Sequence, residues 1–244
     1  MRLLLLMLLA CTLSAASATE FSGIIEMAES ISGLQADGKD QDEFIRYTAI
    51  IENRLKQVRS ELVNAPPVVA RTLREDLSFC TSELERIAAV TGRELVISTS
   101  SYRISRGRVV LATPLIRYRI DRNRGTGQSL TPDGQVADVP LAALPAVDNN
   151  GAQEGPLVLG MPTRRFERNL GGKNYIILAS PDLPNVCALT MVSGQTDSEL
   201  MVALAKLPGL PMQLETRDGA IVRRMAVTRI APRNLGDDEF APWK

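Results

Sequence analysis

The chain has 244 residues, with 28 basic and 28 acidic side chains, three cysteines and no histidine. At 45% apolar and 23% charged residues it is an ordinary globular composition with enough apolar surface for a core, which excludes a disordered, collagenous or polytopic membrane protein. The missing histidine excludes Ser-His-Asp and Cys-His nucleophiles, H-E-x-x-H zinc sites and imidazole acid-base chemistry.

Residues 1–18 (MRLLLLMLLACTLSAASA) combine Arg2, an apolar run from Leu3 to Ala10, and small residues ending in Ala16-Ser17-Ala18. This pattern predicts a secretory signal peptide cleaved near Thr19, its apolar run being too short to anchor in a bilayer. The stretch Leu8-Leu9-Ala10-Cys11 also resembles a lipobox, which would make Cys11 an acylated first residue. The first reading places the mature chain in a bacterial periplasm and the second makes it an outer-membrane lipoprotein anchored at Cys11, in either case with no transmembrane segment. It keeps Cys80 and Cys187, 107 positions apart. In oxidising surroundings these either form a disulfide, worth about 4 kcal/mol as a long-loop staple, or remain two separately buried thiols.

The mature chain opens with Ile24, Met27, Ala28, Ile31 and Leu34 at helical spacing, although Phe21 to Met27 alone reads equally as a strand. Asp40 and Glu43 resemble a capping box, after which Phe44, Tyr47, Ile51, Leu55, Val58 and Leu62 mark one face of a helix ending near Asn64. Pro66-Pro67 breaks it, and Val69, Leu73, Leu77, Cys80, Leu84 and Ala88 line a second helix that stops at Gly92. This predicts a helical segment over 19–92, followed by a β-rich segment over 93–244, the two also being readable as one domain over 19–244.

From Leu95 the period becomes strand-like, through Tyr102, Ile104 and Val109 to Leu111, and Ile116, Tyr118 and Ile120 then alternate with Arg117, Arg119 and Asp121. Residues 131–162 hold five prolines and four glycines and read as a long loop, a functional flap or a partly disordered segment. Strands return at Thr163 to Arg168 and Tyr175 to Ala179 around the turn Gly171-Gly172. Thr196 and Glu199 read as a capping box for a short helix through Leu207. The chain closes with strands at Met212 to Arg217 and Ile221 to Ile230, with a bulge expected at Arg223-Arg224. The pattern predicts an α+β fold on an antiparallel sheet.

Seven arginines, Arg103, Arg106, Arg108, Arg117, Arg119, Arg122 and Arg124, lie within 22 residues. Guanidinium groups hold phosphate and carboxylate, so the stripe is either a basic patch for lipid headgroups or an acidic partner, or the solvent face of strands buried on their other side. Nucleic acid is disfavoured by the leader, the balanced charge and the few aromatics. No nucleophile, phosphate-loop or dinucleotide motif is present, so no enzyme activity and no cofactor are predicted. Asp237, Asp238 and Glu239 lack the spacing of a cation site and read as an exposed tail, so no metal is predicted.

The run from Gly209 to Trp243 resembles the end of the LolA-like periplasmic group, the lipoprotein carriers and their relatives. It has a Pro-led strand at Pro211 to Arg217, a hairpin, a V-T-x-I-like strand at Val227 to Ile230, and an F-x-P ending at Phe240 to Pro242. Phe21 to Met27 is similar to the first strand of some relatives. The resemblance implies a strongly curved, incomplete antiparallel barrel wrapped around helices, with an apolar cavity for acyl chains. The long helices before the sheet and the Arg-rich strand depart from that pattern.

Two functions follow as expectations. One is a non-catalytic carrier whose concave sheet face presents Val109, Leu111, Ile116, Tyr118 and Ile120, with Phe166, Tyr175, Ile177 and Leu214, to a lipid or lipoprotein acyl chain; the same residues also read as a filled core. The other is an envelope scaffold or assembly factor that meets a protein partner or the membrane surface through its helices and arginines.

Overall fold

The computed structural model describes residues 21–33, 41–113, 115–132, 134–219 and 221–243. The expected signal peptide with Cys11, and Asp40 of the expected capping box, lie outside the described residues. Eleven strands within them form one open, curved antiparallel sheet, so the α+β expectation holds at that level. No helix among the described residues is long and apolar enough to cross a membrane.

The first strand, β1 (Ser22–Gly33), corrects the helical reading of Ile24, Met27, Ala28 and Ile31, and Leu34 of that reading lies outside the described residues. It lies in the middle of the sheet, paired on one side with β2 (Leu95–Ser105) and on the other with the last strand, β11 (Ile221–Pro232). Its apolar residues Ile25, Met27 and Ile31 are buried on one face, a strand period rather than a helical one. The helices expected over 19–92 are therefore an insertion between two adjacent strands. They are α1 (Gln41–Leu62) and α2 (Pro67–Thr91), joined at Pro66 as expected. Gly92 ends α2 in the left-handed region at φ 67°, its N–H donating to the Ala88 carbonyl. Ile51, Leu55, Cys80 and Leu84 of this hairpin pack on Ile31, Leu95 and Ile97 of the sheet.

From β2 the sheet extends through β3 (Arg108–Ala112), β4 (Arg117–Asp121) and β5 (Thr126–Leu130) to an edge at β6 (Val136–Asp138). From β11 it extends through β10 (Leu210–Asp218), β9 (Lys173–Ser180) and β8 (Arg164–Leu170) to an edge at β7 (Gln153–Glu154). Both edges thus come from the segment expected to be a plain loop, and very short edge strands offer little template for pairing with another chain. Gly171 and Gly172 form the expected β8–β9 turn, both at positive φ. The register is continuous at Arg223 and Arg224, and the bulge of β11 lies where Glu26 and Met27 face Arg229 and Val227.

Between β9 and β10 the chain leaves the sheet to form α3 (Val186–Leu189) and α4 (Glu199–Ala205). The N-cap of α4 is Ser198, whose hydroxyl accepts from the Met201 N–H, rather than Thr196. Leu183, Val186, Cys187, Leu204 and Leu207 of this crossover pack on Ile25, Met27, Ile104, Phe166 and Ile177, the largest core of the protein. Two helical units therefore cover one face of the sheet, the α1–α2 hairpin and the β9–β10 crossover.

Cys80 and Cys187 are both free and buried, one in each of these units, which corrects the expected disulfide. Burial pushes the Cys187 thiol up to about 12 from its ordinary 9.0. A raised folded value favours the protonated thiol, so its stabilisation is complete below the ordinary value and is lost as pH climbs toward the folded one. Cys187→Val is accordingly expected to flatten the loss of stability in urea melts between about pH 9 and about pH 12. An alkaline limb equal to that of the wild type would count against this.

Candidate functional site

A cleft of about 920 Å³ opens at one end of the sheet, where the β9–β10 crossover meets three turns. Leu183, Leu189 and Leu207 form its inner wall, and Pro181, Pro184 and Pro208 stiffen the chain around them. The β2–β3 turn contributes Arg106 and Gly107, and the β4–β5 turn contributes Asn123. The outer lip comes from the segment between the two sheet edges, with Leu144 (56% exposed) and Val147 (61% exposed) standing open to solvent.

That lip is held by backbone hydrogen bonds. The Ala142 N–H donates to the Met191 carbonyl, the Ser193 N–H to that of Pro140, and the Asp148 N–H to that of Lys206. The expected flap at 131–162 is thus a strap running from one sheet edge to the other, tied to the crossover beneath it.

Two side chains fix the crossover wall. Asn185 caps α3 by accepting from the Ala188 N–H, while its amide donates to the carbonyls of Leu204, Ala205 and Leu207 at the end of α4. The Arg122 guanidinium donates to four carbonyls, those of Ala142, Ala188, Leu189 and Met191, at 2.6 to 3.0 Å. It joins the β4–β5 turn to the strap and to the end of α3, and burial lowers its pKa.

The residues predicted to line a ligand site are placed elsewhere. Val109, Ile120, Phe166, Ile177 and Leu214 are buried, all but Ile120 in the main core with Tyr175 packed against it. Leu111 and Tyr118 are half-buried and paired across β3 and β4, and Ile116 borders a separate cavity of about 290 Å³ near the end of α1. As a set they are packing rather than the cleft lining. A further cavity of about 400 Å³ lies between the α1–α2 hairpin and the sheet, where Leu77, Ile97 and Leu115 line it together with the charged Glu29, Arg59 and Arg223.

The seven arginines do not form one open patch. Arg103, Arg108 and Arg119 share the sheet face opposite the helices, and the chain end lies over them. Arg108 holds Asp237 at 2.6 Å and sits 4.6 Å from the centre of the Phe240 ring; Arg103 pairs with Glu239 at 3.4 Å; Arg119 donates to the Phe240 carbonyl. The hydrogen bond from Arg108 keeps the Asp237 carboxyl below its usual range. Leu235, Phe240 and Trp243 pack on Val110 beneath this tail, which ties it to the sheet while Asp237 and Asp238 stay exposed as expected. Arg124 pairs with Asp121 in its own turn, Arg117 borders the small cavity, Arg122 is the latch, and Arg106 faces the cleft.

No group of three or more metal-ligating side chains occurs among the described residues. No known protein-family model matches the chain, and no curated protein matches it. Apart from Arg106 of the arginine stripe, the cleft residues escaped the sequence reading because most of them come from four separate connections; the other signal was the cluster of prolines and glycines in 131–162.

Proposed function

We propose that this is an exported, non-catalytic periplasmic carrier that binds a lipid or lipoprotein acyl chain in the cleft beneath the strap. The observation that carries the reading is the cleft itself, open to solvent and walled by leucines and prolines, within the range of about 300–1,000 Å³ common to ligand pockets. The leader-like residues 1–18 support export, and the open, curved sheet is compatible with the incomplete barrel that the LolA-like resemblance implies. The tail laid over Arg103, Arg108 and Arg119 weakens the scaffold reading, because it covers much of the stripe that a partner would meet.

Displacement of a fluorescent fatty-acid probe from delipidated protein tests the reading. Val147→Asp, at an exposed position on the lip, puts a charge beside the chain and is expected to weaken probe binding by about tenfold without unfolding the protein. No probe binding and no lipid co-purifying by mass spectrometry would overturn it.

A further inference from the structure

Resting on that reading, we infer that the cleft selects single-chain amphiphiles with an anionic head, which Arg106 and Arg164 hold at the mouth while the tail enters against Leu183, Leu189 and Leu207. The charge of the lining points this way: it includes two arginines and no carboxylate, on a chain whose acidic and basic residues are equal in number.

Arg164 donates to the neutral Asn149 amide at 3.3 Å, and neither it nor Arg106 makes an ion pair among the described residues. Asp237, which also feels the Arg106 charge, is hydrogen-bonded by Arg108, Asp148 pairs with Arg168, and Glu154 lies opposite Arg164 in the β7–β8 register without forming an ion pair with it. Two guanidinium groups facing an apolar cleft offer donors for the oxygens of a carboxylate or phosphate, and binding such a group would neutralise both.

Two of the three asparagine amides of the lining are spent on the fold itself. The Asn185 amide is used by the ends of α3 and α4, and the Asn123 amide donates to the Arg106 carbonyl at 2.7 Å. The inner wall therefore has nothing to offer a second polar end, whereas it suits a hydrocarbon tail.

Arg106 is also held where its side chain is disfavoured. It takes φ 47° in the tight turn before Gly107, a position at which asparagine or glycine is the comfortable choice. Of the described residues only Leu159 shares that departure among non-glycines, at an exposed turn of the strap. Backbone strain kept at the mouth of this cleft points to a use for the guanidinium group.

The test measures displacement of the probe by palmitate, hexadecyl phosphate and hexadecanol, which share one chain length and differ in the head. The acids are expected to bind about tenfold more tightly than the alcohol. That advantage should disappear in the Arg106→Gln/Arg164→Gln double variant and shrink as salt rises. Whichever acid binds more tightly identifies the head as carboxylate or phosphate. Arg106→Asn separates function from folding, because it should lower the preference for acids while raising the melting temperature. Equal binding of acids and alcohol by the wild type, or a preference that survives in the double variant, overturns the head-group assignment and leaves the acyl-chain reading in place. Failure of all three to bind removes the acyl-chain reading and this inference with it.

Discussion

Gly33→Val is expected to destabilise the protein by about 3 kcal/mol, the upper part of the usual range for forcing atoms into a packed site. A Cβ at Gly33 would overlap the carbonyl oxygen of Ala88 and crowd the Cα of Ala89, both backbone atoms of α2. A side-chain tip could rotate away, but the helix has to shift bodily. That same oxygen receives the Gly92 N–H that closes the helix, so the shift also loosens the left-handed cap. Gly125→Ala makes the right comparison, since Gly125 has φ 67° and open space around it and suffers only from its conformation, at about 1 kcal/mol. Urea melts of the two variants should separate by about 2 kcal/mol. Equal losses would mean that the contact between the first strand and α2 is soft.

Arg122→Ala is expected to cost about 3 kcal/mol, comparable to losing one or two charge-assisted hydrogen bonds rather than all four, since water reaches part of the site. Arg122 has no carboxylate partner among its hydrogen bonds; all four acceptors are main-chain carbonyls. The loss should therefore persist in molar salt, unlike that of a surface ion pair, which screening would already have weakened. Arg122→Lys should recover only part of it, because an ammonium cannot reproduce the planar fork. Amide exchange should quicken in the segment around Ala188 to Ser193, and probe affinity should fall as the cleft wall loosens. A melting difference that disappears in molar salt would show that the guanidinium works by long-range charge instead.

Much of the fold could be read from the chain. The helical hairpin was legible because Pro66-Pro67 and Gly92 punctuate it, and β3, β4, β8 and β9 because their side chains alternate. The first strand was not, because Ile24 and Ala28 on its other face, set among Met27 and Ile31, leave apolar residues at intervals that imitate a helix. A similar effect misplaced the bulge of β11. Arg223 lies opposite Ile31 and pairs with Glu85 of α2, so a charged residue stands on the helix-covered face without any slip in pairing. The cysteines illustrate a different limit, since separation along the chain says nothing about whether two thiols face each other. The site was the least legible part. Apolar alternation identifies buried strand faces, whereas the cleft is assembled from turns whose residues have no period.

The place of β1 has a consequence for how the chain is made. Its partner β11 lies some 200 positions away, from the pairing of Gly23 with Pro232 to that of Gly33 with Ile221. Until the last strand has been synthesised, one whole side of the central strand has nothing to pair with, and the strands on either side of it remain two unjoined halves. An incomplete chain therefore cannot finish folding at the ribosome. Such delay would be a liability for a protein that folds as it emerges, but it keeps a chain threadable until its end is released.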